Sequence, residues 1–196
     1  MKRETTKYEI PPATIGTRTT VVVHDYYPSE DVKNMDRNSL EWYGLDHVYI
    51  QASLHADELP GLLVSHHLVK LLDKAAERGA IKKHITIIPY ANPLGLNQVI
   101  QGKHLGRFSL QTGVNFNRNW LDVSDKVIQR LEGQLSKDDK NLNTAIIRKA
   151  LFEEASNLPS NKSEVVWKRE LYKKACIGSI VLDLHCDSGK TLISIP

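Results

Sequence analysis

The chain has 196 residues, 41% of them hydrophobic, with 26 basic and 23 acidic side chains for a formal net charge of +3. That size suits one domain with a buried core, and the interleaving of opposite charges, as where Lys137 and Lys140 flank Asp138 and Asp139 or in Lys168, Arg169 and Glu170, reads as solvated helix faces and argues against nucleic-acid binding. The polar residues 1–7 lack a signal-peptide core, no run approaches the ~18 apolar residues of a membrane helix, and two cysteines, Cys176 and Cys186, are too few for a disulfide scaffold. The expectation is a soluble cytoplasmic protein with reduced thiols; nothing fixes its oligomeric state.

In chain order, residues 19–23 (TTVVV) form a short β-branched strand, and residues 48–54 (VYIQASL) form another after a turn at Gly44. Residues 60–72 predict a helix with Pro60 in its first turn and Leu63, His67 and Leu71 at four-residue steps. The next strand spans residues 84–88 and ends at Pro89. Residues 93–120 carry Gly95, Gly102, Gly106 and Gly113 and read as one long loop, a length that usually serves function. Val127, Leu131 and Leu135 start a helical stripe that Leu142, Ile146 and Ala150 resume after a polar break at 136–141. A turn at 157–163 precedes a helix to Ala175, and Gly178 introduces the strand at 179–184. Strands alternating with helices predict an α/β domain with a mixed, largely parallel sheet flanked by helices.

His55 and Glu58, Asn92, and His185 all follow the carboxyl ends of predicted strands. Open α/β sheets place their ligands in the crevice at that edge. Two imidazoles and one carboxylate are the ligand set of a catalytic zinc site with one position left for water. His55 and Glu58 share one turn, so the backbone fixes their relative placement; His185 joins them only once the sheet has formed. A lone His-x-x-Glu pair is a weak pattern, and the strand-terminal His185 is what strengthens it. In residues 115–120 (NFNRNW), Arg118 offers a planar fork for a carboxylate and Asn117 an amide donor beside it. Arg107 brings a second cation in the same loop.

The ordered set His55-x-x-Glu58, Asn92-Pro93, Asn117-Arg118 and Asp183-Leu-His185 resembles the M14-type zinc carboxypeptidase clan. It is most similar to the succinylglutamate desuccinylase/aspartoacylase branch, from residue 45 to residue 190. The resemblance implies a zinc-carboxypeptidase-like fold with one Zn2+ per chain held by His55, Glu58 and His185. It also implies that Asn117 and Arg118 bind the free carboxylate of the substrate and that Arg107 polarises the scissile carbonyl. The implied activity is hydrolytic deacylation of an N-acyl amino acid. Two other readings stay open: a carboxypeptidase acting on peptide C-termini, and a catalytically silent module that binds metal or carboxylates.

Three departures from the family pattern stand out. Asn115 occupies the place where relatives carry an Asp that orients a zinc-binding His. The spacing between Arg107 and Asn117 is longer than usual. Relatives continue to a Glu that acts as general base, whereas this sequence stops at Pro196, eleven residues after His185; the expectation is a single domain over residues 1–196, truncated at its carboxyl end. Asp183 is expected as a structural acceptor, and Asp187 is near enough to reach the cleft. One of His66 and His67 is expected in the core, His24 and His104 at the surface, Cys186 on the face opposite His185, and Trp42, Trp120 and Trp167 in packing roles.

Overall fold

A computed structural model describes residues 2–12, 16–159 and 161–186. Asp187 and the apolar residues at 191–196 lie outside the described residues. The elements in order are β1 (Glu4–Ile10), β2 (Thr19–Tyr26), α1 (Glu30–Asn34), α2 (Leu40–Gly44), β3 (His47–Ala52), α3 (Leu59–Glu77), β4 (His84–Ile88), α4 (Pro93–Leu96), β5 (Val99–Ile100), β6 (Lys103–His104), α5 (Ser124–Leu131), α6 (Lys140–Ser156), α7 (Ser163–Ala175) and β7 (Ile180–Leu184). Five strands form one sheet in the order β1-β2-β4-β3-β7. β1 with β2 and β2 with β4 run antiparallel, whereas β4 with β3 and β3 with β7 run parallel. The mixed sheet is therefore parallel in the half that carries the candidate site.

Alternation along the central strands distributes apolar groups to both faces. Tyr49 and Ile88 enter a cluster with Val21, Val23, Trp167 and Leu171, which seats α7. Ile50 and Ile87 face the other way and meet Ala76, Leu68, Val69 and Leu72 of α3. Helices on both faces of one sheet bury the core in two layers. Val127, Leu131 and Ala150 bind α5 to α6 in a separate cluster.

Several expectations change. α3 is longer than predicted, and its 63/67/71 stripe faces outward, with Leu63 57% and Leu71 62% exposed. The helix instead packs through Gly61, Ser65, Leu68, Leu72 and Ala76, and both His66 and His67 are exposed. Leu135 and Leu142 are also exposed and fall outside the stripe that Val127, Leu131 and Ala150 form. Lys168, read as part of a solvated face, is only 5% exposed. The long loop is braced by α4, by the β5–β6 pair and by a bridge between Phe108 and Asn115. β1 was not predicted: its run ETTKYEI buries little beyond Ile10. No helix among the described residues is long and apolar enough to cross a membrane.

Candidate metal centre

The parallel pairing of Ala52 with Leu184 sets the ends of β3 and β7 side by side. Ser53, at φ 60°, turns the chain out of β3, a backbone state uncommon outside glycine and often associated with functional turns. Leu54 and Ala56 are fully buried, and Glu58 stands at the N-cap position of α3 with its carboxylate turned away from the helix's own N–H groups. Glycines let neighbouring backbones close on this turn. A Cβ at Gly61 would lie 2.8 Å from the Leu184 carbonyl oxygen, and one at Gly106 would lie 2.3 Å from the Asp57 nitrogen. The Ala56 N–H donates to the Gly106 carbonyl at 3.0 Å, so the turn and the Arg107 loop are joined by backbone. Asn92, fully buried, fastens the same turn by donating to the Leu54 carbonyl while accepting from the Gly95 N–H, both at 2.9 Å. Its role here is to hold backbone.

His55, Glu58 and His185 offer three ligand-type atoms within 4.8 Å of one another. His55 Nδ1 faces Glu58 Oε1 at 3.0 Å, and His185 Nδ1 faces Glu58 Oε2 at 2.8 Å. Each imidazole is held from behind by its other nitrogen: His55 Nε2 meets Asn115 Oδ1 at 2.9 Å, and His185 Nε2 meets Asp183 Oδ2 at 2.9 Å. The Asn117 N–H donates to Asn115 Oδ1 at 2.8 Å, which fixes that atom as the amide oxygen. His55 Nε2 must then carry the proton, which leaves the Nδ1 lone pair pointing at a carboxylate. Two lone pairs that face each other repel unless a proton or a cation lies between them. Outer acceptors on both rings and inner nitrogens turned to a shared carboxylate are the arrangement of a metal-ligating His₂Glu set. The donor chemistry therefore fits a zinc ion.

The carboxylates draw positive charge into the cluster. Burial favours the neutral form of Glu58, but the Cys186 N–H, His185 and His55 outweigh it and hold its pKa below the ordinary value. The hydrogen bond that His185 donates to Asp183 is the largest influence on it; against the opposing effect of burial, and with Glu58 adding to it, the imidazole pKa rises to about 9. Arg107 Nη2 donates to Glu58 Oε1 at 2.7 Å, which places its guanidinium beside the cluster. Cys186 acts through its backbone, since its N–H donates to Glu58 Oε2 at 3.0 Å just after β7 has ended.

Asn117 and Arg118 neighbour Asn115 in sequence without touching the cluster themselves. Asn117 Oδ1 accepts from Trp120 Nε1 at 2.8 Å, which turns its amide nitrogen the other way. The Arg118 guanidinium is exposed and donates to the Asn117 carbonyl at 2.7 Å. His104 Nε2 contacts the Gly95 carbonyl and His24 Nδ1 contacts Thr5 Oγ1, so neither of these contacts is to a residue of the cluster. Sequence reasoning missed Gln98. Its side chain donates to the Leu105 and Phe108 carbonyls and accepts from the Leu110 N–H, tying the loop that carries Arg107. No sequence signal marked it, whereas Gly106 directly before Arg107 was a usable one.

The model of the succinylglutamate desuccinylase/aspartoacylase catalytic domain matches residues 45–194. The chain belongs to this family. Among solved structures it is similar to a protein described as a succinylglutamate desuccinylase/aspartoacylase from Shewanella frigidimarina NCIMB 400, at 26% identity and a TM-score of 0.69 over 95% of this chain and 46% of that one. A succinylglutamate desuccinylase/aspartoacylase family protein from Shewanella amazonensis SB2B is similar at 29% identity and a TM-score of 0.67, over 94% of this chain and 47% of that one. The chain thus spans about half the length of these relatives. No curated protein matches it. Within the succinylglutamate desuccinylase/aspartoacylase fold, the mixed sheet with helices on both faces is the expected architecture.

Proposed function

We propose that this chain carries the zinc site of a hydrolase that deacylates an N-acyl amino acid, with one Zn2+ per chain bound by His55, Glu58 and His185. The observation that carries the reading is the convergence of those three donors within 4.8 Å, with both imidazoles held from behind by Asn115 and Asp183. When bound, zinc lowers the pKa of a coordinated water toward ~7 and polarises a carbonyl oxygen.

The chain's own residues supply the rest. Asn115 and Asp183 keep the imidazoles in the tautomer and orientation that ligation needs. Arg107 supplies a fixed cation beside the centre, where negative charge develops on the carbonyl oxygen during attack. Asn117 and Arg118 bind the free carboxylate and so set which end of the substrate enters first. For that step Arg118 exchanges its bond to the Asn117 carbonyl for the substrate.

Release of amino acid from a panel of N-acyl amino acids and short peptides, with the chain zinc-loaded or chelated, tests the reading. Zinc-dependent release from N-acyl amino acids supports it. Release from peptides alone would assign a carboxypeptidase instead. One observation favours a module that binds without turnover: both carboxylates in the cluster, Glu58 and Asp183, already bond to imidazoles. Stoichiometric zinc with carboxylate binding and no release from any substrate would select that module.

A further inference from the structure

Lys168 projects from α7, which packs on the sheet face opposite α3. At 5% exposure it is among the few buried charged groups of the described residues, and burying an ammonium is costly unless its protons find acceptors. Its Nζ donates to the Arg118 carbonyl at 2.5 Å and lies 5.8 Å and 5.9 Å from the ring centres of Trp120 and Trp167, distances suited to cation–π attraction. Trp120 in turn donates to Asn117 Oδ1. Asn119, at φ 55°, reverses the chain between Arg118 and Trp120. The ammonium and the indole thus brace Asn117 and Arg118 from the core side.

Among the described residues, neither Lys168 nor Arg118 forms an ion pair. Glu164, one turn earlier on α7, accepts from Thr112 Oγ1 at 3.2 Å, and its negative charge also favours the charged form of Lys168 without forming an ion pair with it. The Lys168 ammonium, on α7, meets the backbone of the loop residue that carries the Arg118 guanidinium, and positive charge gathered in one place favours an arriving anion.

We infer that Lys168 is a positioning residue for substrate carboxylate: it holds the Arg118 carbonyl and adds a buried positive charge behind the Asn117–Arg118 pair. This rests on the reading of that pair as the carboxylate anchor. A lysine needed only for packing would leave affinity for a carboxylate and for its amide equally affected.

NMR titrations of the zinc-supplemented chain with N-acetylglycine and with N-acetylglycinamide, which lacks the carboxylate, separate these roles. The wild-type chain prefers the carboxylate. Lys168→Met lowers affinity for N-acetylglycine roughly tenfold, the equivalent of one charge-assisted hydrogen bond, and leaves the amide unchanged. Lys168→Gln keeps a donor for the Arg118 carbonyl but no charge; it loses a smaller part of the preference, and it decides the question if Lys168→Met does not fold. If both Lys168 variants keep the wild-type preference while Arg118→Ala loses it, the inference fails and the anchor stands. Equal losses for both ligands in the Lys168 variants would also overturn it, by making Lys168 purely structural. A wild-type chain that does not distinguish the two ligands would remove the anchor, and the inference with it.

Discussion

His55 keeps its Nδ1 lone pair for a metal only while Nε2 is held as a donor, and Asn115 does this with a neutral amide. A carboxylate in its place would make the imidazole more basic, an outer contact that commonly alters metal affinity 10–100-fold. Asn115→Asp is therefore expected to bind zinc roughly tenfold more tightly in competitive chelator titrations; unchanged affinity would contradict that. Gly106 matters through the space it leaves. Gly106→Ala places a Cβ 2.3 Å from the Asp57 nitrogen and 2.6 Å from the Ala56 carbonyl carbon, and backbone cannot yield as a flexible side chain can. The substitution should cost about 1–3 kcal/mol in urea denaturation, and a wild-type midpoint would contradict it. At this scale the candidate site residues could be nominated because His, Glu and Asn-Arg carry their chemistry in their identity. Gln98 and Lys168 were not, because an amide that ties three backbone groups and a lysine that turns inward look in sequence like any polar surface residue.

Strands whose two faces are both buried announced themselves as apolar runs, and β4 occupies the residues expected of it, His84–Ile88. β1 escaped because an edge strand with one wet face needs few apolar residues, and it has Glu4, Lys7 and Glu9 among seven. In α3 apolar residues occur nearly all round, so periodicity allowed more than one stripe. The small residues Gly61, Ser65 and Ala76 decide which side approaches the sheet. Stability measurements separate a core position from the outward face of α3. Leu171→Ala, at 1% exposure on α7, should cost about 2–5 kcal/mol. Leu71→Ala, on the outward face of α3, should change stability by no more than about 0.5 kcal/mol. A loss at Leu71 as large as at Leu171 in urea melts would mean that the Leu71 side of α3 is buried.

The molecule places polar groups at both ends of its parallel strands. At the amino ends, His47 and His84 stack with ring centres 4.2 Å apart. His84 Nε2 and Thr86 Oγ1 both donate to Asp25 Oδ1, and Thr86 accepts from His47 Nε2. Burial, with the neighbouring His84, lowers the His47 pKa to about 3. Burial also lowers that of His84 despite Asp25. For Asp25 burial works upward, but the bonds from His84 and Thr86 and the charge of Lys174 outweigh it and bring its pKa to about 2. All three values are depressed, so the unfolded chain takes up protons first as pH falls. The stability these groups contribute is complete above the unfolded histidine value of about 6.5; the His47 part is lost progressively toward pH ~3, and His84 adds to the loss as pH falls below that unfolded value. Asp25 adds a further loss between pH ~4 and ~2. Urea midpoints should fall steadily from pH 7 to pH 4, and His47→Phe should flatten that slope; equal slopes would contradict the assignment. The carboxyl ends of the same strands hold the candidate centre, which joins His55 and Glu58 to a histidine 127 positions beyond Glu58. Sequence could nominate that convergence through strand ends, and the register of β3 with β7 supplies it. Metal content by elemental analysis, for the zinc-equilibrated chain and for the variant combining His55→Ala, Glu58→Ala and His185→Ala, is the most direct test. The account predicts one zinc per chain in the first and none in the second; stoichiometric zinc in the triple variant, or no zinc in the unsubstituted chain, would contradict it.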